Sequence, residues 1–221
     1  MMEYGHGGDI YRNRNVELDF SVNVNPLGMP NFVWEAAQRS IAFCTGYPDS
    51  SCENLRGRLS EVTGVPEDQM IFGNGAAELI FRLVQEVRPK KAVIPAPSFA
   101  EYETALRSCG TEIAFFYLKE AESFFLDFLR AEQPEIIFLC TPANPTGAMI
   151  RQADLSKILD YCKKHGILLV LDECFVEFLD EERSCGCIRE FLEWETGRPE
   201  HGGDLFLLRA FTKTYAMAGL R

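Results

Sequence analysis

Residues 135–174 read EIIFLCTPANPTGAMIRQADLSKILDYCKKHGILLVLDEC, and this stretch decides the fold. EIIFLC and ILLVLD are uninterrupted apolar runs of strand length, each closed by a polar cluster. Between them Leu155, Ile158, Leu159 and Cys162 recur at i, i+3, i+4 and i+7, the single apolar stripe of an amphipathic helix. Strands that are apolar on both faces, joined by a helix with one face to bury, make the repeating unit of a parallel sheet.

The same unit extends in both directions. QMIF, KAVIP and EIAFFY lie upstream and DLFLLRAF downstream, all short β-branched or aromatic runs, most of them bounded by Pro, Gly or Asn. From about Phe99 to Cys109, Tyr102, Ala105, Leu106 and Cys109 again mark one helical stripe. GNGAAELI opens another helix, whose Leu79, Ile80, Leu83, Val84 and Val87 are its apolar face. Asn31 to Phe43 and ENLRGRLSEVTG read as two earlier helices, after an irregular arm ending near NPLGMP. The expectation is an α/β protein with a mostly parallel sheet and helices on both faces, with residues 1–30 an N-terminal arm and 31–221 one large domain. Ligands of such sheets bind at the carboxyl ends of the strands.

Composition narrows the function. The 221 residues are 47% hydrophobic and 25% charged, enough for a sizeable core, with a formal net charge of -11. That charge argues against broad capture of nucleic acid or an anionic membrane, so an anionic ligand must be held by particular amides and arginines. The opening MMEYGHGGDI has no apolar core of a leader, and ILLVL is too short to span a bilayer, which points to a cytoplasmic protein. Eight cysteines scattered through strands and helices read as reduced thiols; Cys185-Gly-Cys187 is the one close pair, and with three distant histidines no metal site is expected. The two HGGD tetrapeptides read as coincidence, and the acidic stretch from Glu177 to Glu200 as solvated surface.

Several unusual clusters fall where strands end. Gly73-Asn74-Gly75 directly before a helix can offer free amides to an anion, although a plain glycine turn looks the same. TPANPTG sets Asn144 between two prolines, which explains a rigid turn but not the choice of Asn. Asp172 closes five apolar residues, so it either caps local backbone or faces a cation. Lys213, in RAFTKTYAMAGLR at 209–221, would by itself be an ordinary solvated lysine. A phosphate cradle, a positioned amide, a semi-buried acid and a lysine, each after a different strand, are together the groups that pyridoxal phosphate requires.

In GNGAAE, PSF, TPANPTG, LDEC and TKTYAMAGLR, in that order, the chain resembles the large domain of the fold-type I pyridoxal-phosphate enzymes, the aspartate aminotransferase superfamily of class I/II aminotransferases. The resemblance implies pyridoxal 5'-phosphate as cofactor, Lys213 as its Schiff-base lysine and Asp172 as partner of the pyridine nitrogen. It implies further that Asn144 bonds the phenolic oxygen, that Phe99 stacks on the ring, and that the amides of Gly75, Ala76 and Ala77 with Arg221 bind the phosphate. Tyr47, in GYPD, matches a tyrosine that reaches the neighbouring subunit's phosphate, which implies a homodimer. Two positions depart from the pattern: Ala210 stands where a serine is frequent, and Asp172-Glu173-Cys174-Phe175 replaces Asp-Glu-Ala-Tyr, which leaves Asn144 more of the work at the phenolic oxygen.

HGGDI, LDFSVNVNPLGMP, RSCG and LDECF are similar to the branch of threonine-phosphate decarboxylases and histidinol-phosphate aminotransferases. This implies a small phosphorylated amino acid as substrate, with His6 and Asn23 as candidate contacts, and either decarboxylation or transamination as the reaction. Members of the superfamily carry a C-terminal small domain that the 221 residues lack, so a cofactor-binding fragment without turnover is the alternative.

Overall fold

The structure is a computed structural model and describes residues 7–9, 11–117, 125–179 and 204–220. It divides into two compact units, one of residues Met1–Gly46 with Phe211–Arg221, the other of Tyr47–Ala210.

The second unit holds the sheet. Its strands are β1 (Lys91–Ala96), β2 (Glu112–Tyr117), β3 (Ile136–Cys140), β4 (Leu168–Asp172) and β5 (Leu205–Leu208), in spatial order β2-β1-β3-β4-β5. Every pairing is parallel, and Cys140 of β3 stands opposite Asp172 of β4. Four helices pack on this sheet: α3 (Ala76–Val87), α4 (Ala100–Ser108), α5 (Phe125–Glu132) and α6 (Gln152–His165). Helix α2 (Glu53–Thr63) precedes them and ends at Gly64.

Alternation along the strands sorts the core into two layers. Val93, Ile137, Leu139, Leu169 and Leu171 face α5 and α6, where Leu129, Leu155, Ile158, Leu159 and Cys162 cover them. Ala92, Ile94, Ile136, Phe138 and Val170 face α3 and α4 and pack on Leu79, Ile80, Val84, Tyr102, Ala105 and Leu106. The three helical stripes read from the sequence are therefore packed against the sheet, those of α4 and α6 on opposite faces, except that Val87, at the last turn of α3, is 41% exposed instead of buried. The reason is the crossover rule: β1 to β2 and β3 to β4 run in opposite directions across the sheet, and crossovers of one hand then place α4 and α6 on opposite faces. Each fully buried Leu, Ile or Phe contributes about 2 kcal/mol to this packing.

The strand order reverses between β1 and β3, and loops that leave a sheet in opposite directions there open a crevice at the carboxyl ends. Phe99 follows β1 and Asn144 follows β3, on the two sides of that point.

QMIF is not a strand, contrary to its apolar pattern. Gln69 ends a short 3-10 turn, and the Met70 carbonyl, instead of joining the sheet, accepts from the Arg56 guanidinium, which lies 5.3 Å over the Phe72 ring. A long-range arginine satisfies the backbone that a neighbouring strand would have satisfied.

In the first unit, α1 (Asn31–Ser40) runs into a 3-10 turn at Ile41–Phe43, and a four-residue helix α7 (Phe211–Thr214) carries Lys213. Asn25 binds that turn twice, its backbone N–H donating to the Lys213 carbonyl and its side-chain amide to the Thr214 carbonyl, each at 2.9 Å. Phe32 of α1 meets Tyr215 edge to face with centroids 6.2 Å apart. Phe20 and Leu27, by contrast, are about nine-tenths exposed, at 90% and 92%.

Candidate functional site

Asp172 is the best-determined group of the site, and strand geometry explains its direction. Leu171 points to α5 and α6, so Asp172, one residue on, points with Val170 to the face of α3 and α4. It is 3% exposed there. A carboxylate so buried needs donors, and two are present: the Cys174 N–H gives Oδ1 a 2.9 Å hydrogen bond, and the Tyr102 hydroxyl donates a short one to Oδ2. Of the two readings of Asp172 from the sequence, local capping is thus realised. A carboxylate has about four lone-pair sites, so two remain for a further donor such as a ring N–H.

Tyr102 is the donor to Asp172 that pattern reading missed, since its i, i+3, i+4 position marked it only as core. Its ring stacks on Phe138 at 4.9 Å and 21° and meets Phe99 edge to face at 5.6 Å and 86°. Burial, and then the Asp172 charge, push its phenol well above the ordinary value of 10.0, so it remains a proton donor. Cys140, beside Asp172 across the ladder, has its thiol pushed up to about 12, by burial first and then by the same carboxylate; its Sγ donates to the Pro142 carbonyl at 3.1 Å. The signal available in the sequence was the phenol itself, because a fully buried tyrosine hydroxyl needs a partner.

Phe99 is partly buried against the same cluster as Asp172's neighbours and directly precedes α4. Asn144 sits in a tight loop after β3, closed by Ala143 N–H to Ala148 O at 2.9 Å and by Gly147 N–H to Ala143 O at 2.6 Å. That loop starts at the acid, since Thr141 N–H donates to the Asp172 carbonyl at 3.0 Å.

The glycine turn before α3 leaves its helix start without a side-chain cap, with one carboxylate close by. Gly75, at φ 87° and ψ 165°, occupies a region that side chains avoid, and no side chain caps the helix start that includes Ala76 and Ala77. Gly73 has a packing reason instead, because a Cβ there would meet Leu79 Cδ2 at 2.9 Å. The Glu78 carboxylate binds the loop from below, accepting the Asn74 N–H at 2.5 Å, while Arg82 meets its other oxygen at 2.6 Å and offsets its charge. Hydrogen bonding by Asn74, more than the arginine's charge, holds Glu78 below its ordinary 4.5.

A second carboxylate, Glu173, is 1% exposed; Arg209, just after β5, binds its Oε2 through Nε at 3.0 Å and Nη2 at 2.9 Å. The Glu173 N–H also donates to the Leu208 carbonyl at 2.8 Å, so the ends of β4 and β5 are tied twice. Neither partner was singled out in the sequence.

Asp172, Phe99, Asn144, Gly75, Ala76, Ala77 and Tyr47 all belong to the second unit, Tyr47 fully exposed at its start. Lys213, partly buried on α7, and the exposed Asn23 belong to the first. His6, Arg221, Cys185 and Cys187 lie outside the described residues. No helix among the described residues is long and apolar enough to cross a membrane.

Within the second unit, then, the residues fit pyridoxal phosphate: a buried carboxylate with acceptor capacity, an aromatic ring against the tyrosine that binds it, an amide in the loop after the adjacent strand and a helix start without a side-chain cap. Comparison with known proteins agrees. The profile of the aminotransferase class I and II family matches residues 15–221. Threonine-phosphate decarboxylase of Salmonella typhimurium is 37% identical over 227 residues, covering 98% of this chain and 60% of that protein. Histidinol-phosphate aminotransferase of Methanosarcina barkeri is 32% identical over 208 residues, with 90% and 52% covered. Among solved structures, the histidinol-phosphate aminotransferase of Clostridium acetobutylicum superposes with a TM-score of 0.76 at 26% identity, covering 91% of this chain and 57% of that one. The chain thus spans just over half the length of the relatives it matches.

Proposed function

Since the chain belongs to the aminotransferase class I and II family, we propose that it is the cofactor-binding part of a pyridoxal-phosphate lyase that decarboxylates L-threonine O-3-phosphate to (R)-1-aminopropan-2-ol O-phosphate, a step of cobalamin biosynthesis. The cofactor part of this reading is carried by the buried Asp172, donor-bonded on two sides with acceptor sites left over, on the sheet face that also holds Phe99 and the start of α3; the choice of decarboxylation is supported by the 37% identity to threonine-phosphate decarboxylase. When bound, the cofactor supplies an electron sink for the pair released from the substrate's α-carbon.

In this reading Asp172 keeps the ring nitrogen protonated, because a carboxylate in a dry site favours a cation beside it. Phe99 covers one face of the ring and excludes water from it. Asn144 donates to the phenolic oxygen, with no tyrosine to share that task since Phe175 stands in its place. The amides of Gly75, Ala76 and Ala77, with Arg221, hold the phosphate. Lys213 Nζ carries the cofactor and returns a proton to the α-carbon, and Asn25 fixes the turn from which it projects. His6 and Asn23 contact the substrate. Tyr47 reaches the phosphate of the second copy in a homodimer, for which exposed Phe20 and Leu27 offer apolar surface.

A second reading, transamination of histidinol phosphate, is favoured by the likeness to the aminotransferases of that name. It uses the same residues, with Lys213 removing the α-proton. Two experiments decide. The chain mixed with pyridoxal 5'-phosphate is expected to develop a visible absorption band that Lys213→Ala abolishes; a band unchanged by that substitution refutes the role of Lys213. Supplied with O-phosphothreonine, the full-length gene product is expected to release carbon dioxide and the amino-alcohol phosphate. Keto product and pyridoxamine phosphate refute the decarboxylase in favour of the transaminase.

A further inference from the structure

We infer that Tyr102 is a positioning residue of the cofactor site, holding with one side chain both the Asp172 carboxylate and the Phe99 ring; this rests on the reading that the site takes pyridoxal 5'-phosphate. Three observations carry it. The Tyr102 ring is 1% exposed and pinned by its stack on Phe138, with its hydroxyl donating to Asp172 Oδ2 and the Cys140 thiol as its other polar neighbour. Phe99, three residues earlier, lies one helical turn away and forms a T-shaped pair with the same ring, centroids 5.6 Å apart. The opposite oxygen of Asp172 is held by Cys174 N–H, so the plane of the carboxylate is set from two sides.

The hydroxyl is not needed for packing. A phenylalanine would fill the same volume between Phe138 and Phe99 with no polar atom to satisfy, and the core around it is otherwise apolar. What the oxygen adds is a fixed donor to a buried acid. The carboxylate cannot swing, and its remaining lone pairs point in one direction, which a ring nitrogen must match to within a fraction of an ångström. Because burial keeps the phenol protonated, that donor persists across the working pH range. The nitrogen partner and the stacking face of one cofactor ring are thereby referenced to a single rigid side chain on α4, which was legible in the sequence only as core.

Tyr102→Phe tests this. The dissociation constant for pyridoxal 5'-phosphate is expected to rise about tenfold, the size of one lost hydrogen bond to a charged group. The visible band of the bound cofactor is expected to shift, and the thermal midpoint of the cofactor-free protein to fall by a few degrees, because the buried Asp172 carboxylate loses one of its two donors. Leu155→Ala, in the core layer on the opposite face of the sheet, is the packing control, expected to lower the midpoint without shifting the band. In cofactor-free protein carrying carboxyl-labelled aspartate, the Asp172 resonance, identified by its loss in Asp172→Asn, should move in Tyr102→Phe. An unchanged dissociation constant with an unmoved resonance overturns the inference, and so does a Tyr102→Phe protein that loses stability like Leu155→Ala while keeping its band. If the parent chain binds no pyridoxal 5'-phosphate, the functional reading falls instead; the resonance alone then decides whether Tyr102 holds Asp172, a moved signal supporting it and an unmoved one overturning it.

Discussion

Replacing Arg209 by Met removes the cation from a carboxylate that has no exposed side-chain surface, whereas Arg209 itself retains 29% exposure. Breaking a buried ion pair from one side destabilises by about 3 to 5 kcal/mol, and because water still reaches the arginine end the lower figure, about 3 kcal/mol, applies. With a urea slope of about 3 kcal/mol per molar for a chain of this size, the unfolding midpoint should fall by about 1 M. Glu173→Leu combined with Arg209→Met should recover to within about 1 kcal/mol of the parent, since an apolar pair of similar volume replaces the ions without the desolvation they required. Circular dichroism in urea on the parent, both single variants and the double variant supplies the cycle, with a coupling of about 3 kcal/mol expected from the non-additivity. If Arg209→Met unfolds within about 1 kcal/mol of the parent, or if the singles sum to the double, the contact is ornamental and β4 and β5 are held by their backbone ladder and the Glu173 N–H to Leu208 bond without it.

Asp172→Ala should weaken pyridoxal 5'-phosphate binding by about a hundredfold, as removal of a buried charge-assisted contact does, read by titrating the visible band; an unchanged constant removes Asp172 from the site. Gly75→Ala places a Cβ where φ is 87° and should destabilise the chain by about 1 to 3 kcal/mol, measured in urea, with a matching loss of affinity for the cofactor's phosphate. Glu78 predicts an acid limb: its folded value lies below 4.5, so the stability it adds is present above that pH and lost as pH falls through the lower folded value. Urea midpoints followed from about pH 6 to pH 3 should therefore decline less steeply in Glu78→Gln than in the parent, and parallel curves would show that the Asn74 contact carries no linkage.

The helices Ala76–Val87, Ala100–Ser108 and Gln152–His165 were legible because each buries one stripe, and a 3.6-residue period survives in a linear string. Asp172, Asn144 and the Gly75 turn were legible for a related reason, since a polar or glycine residue that ends an apolar strand interrupts a pattern. QMIF misled because its pattern is that of a strand while its backbone is bonded by Arg56, and a pattern carries no record of hydrogen-bond partners. Glu173 and Arg209, 36 positions apart, left no joint mark in the chain.

What the residues alone determined was the kind of element wherever an apolar period is long enough, and the residue types available at strand ends, because both depend on near neighbours and periodicity. Only the tertiary structure decided the order β2-β1-β3-β4-β5, the face to which Asp172 turns and the choice of Tyr102 as its donor, 70 positions away. Those depend on which strand lies beside which and on single hydrogen bonds closed across the sheet, and the free energy of such contacts is set by burial and direction in space, quantities that do not exist until the chain has folded.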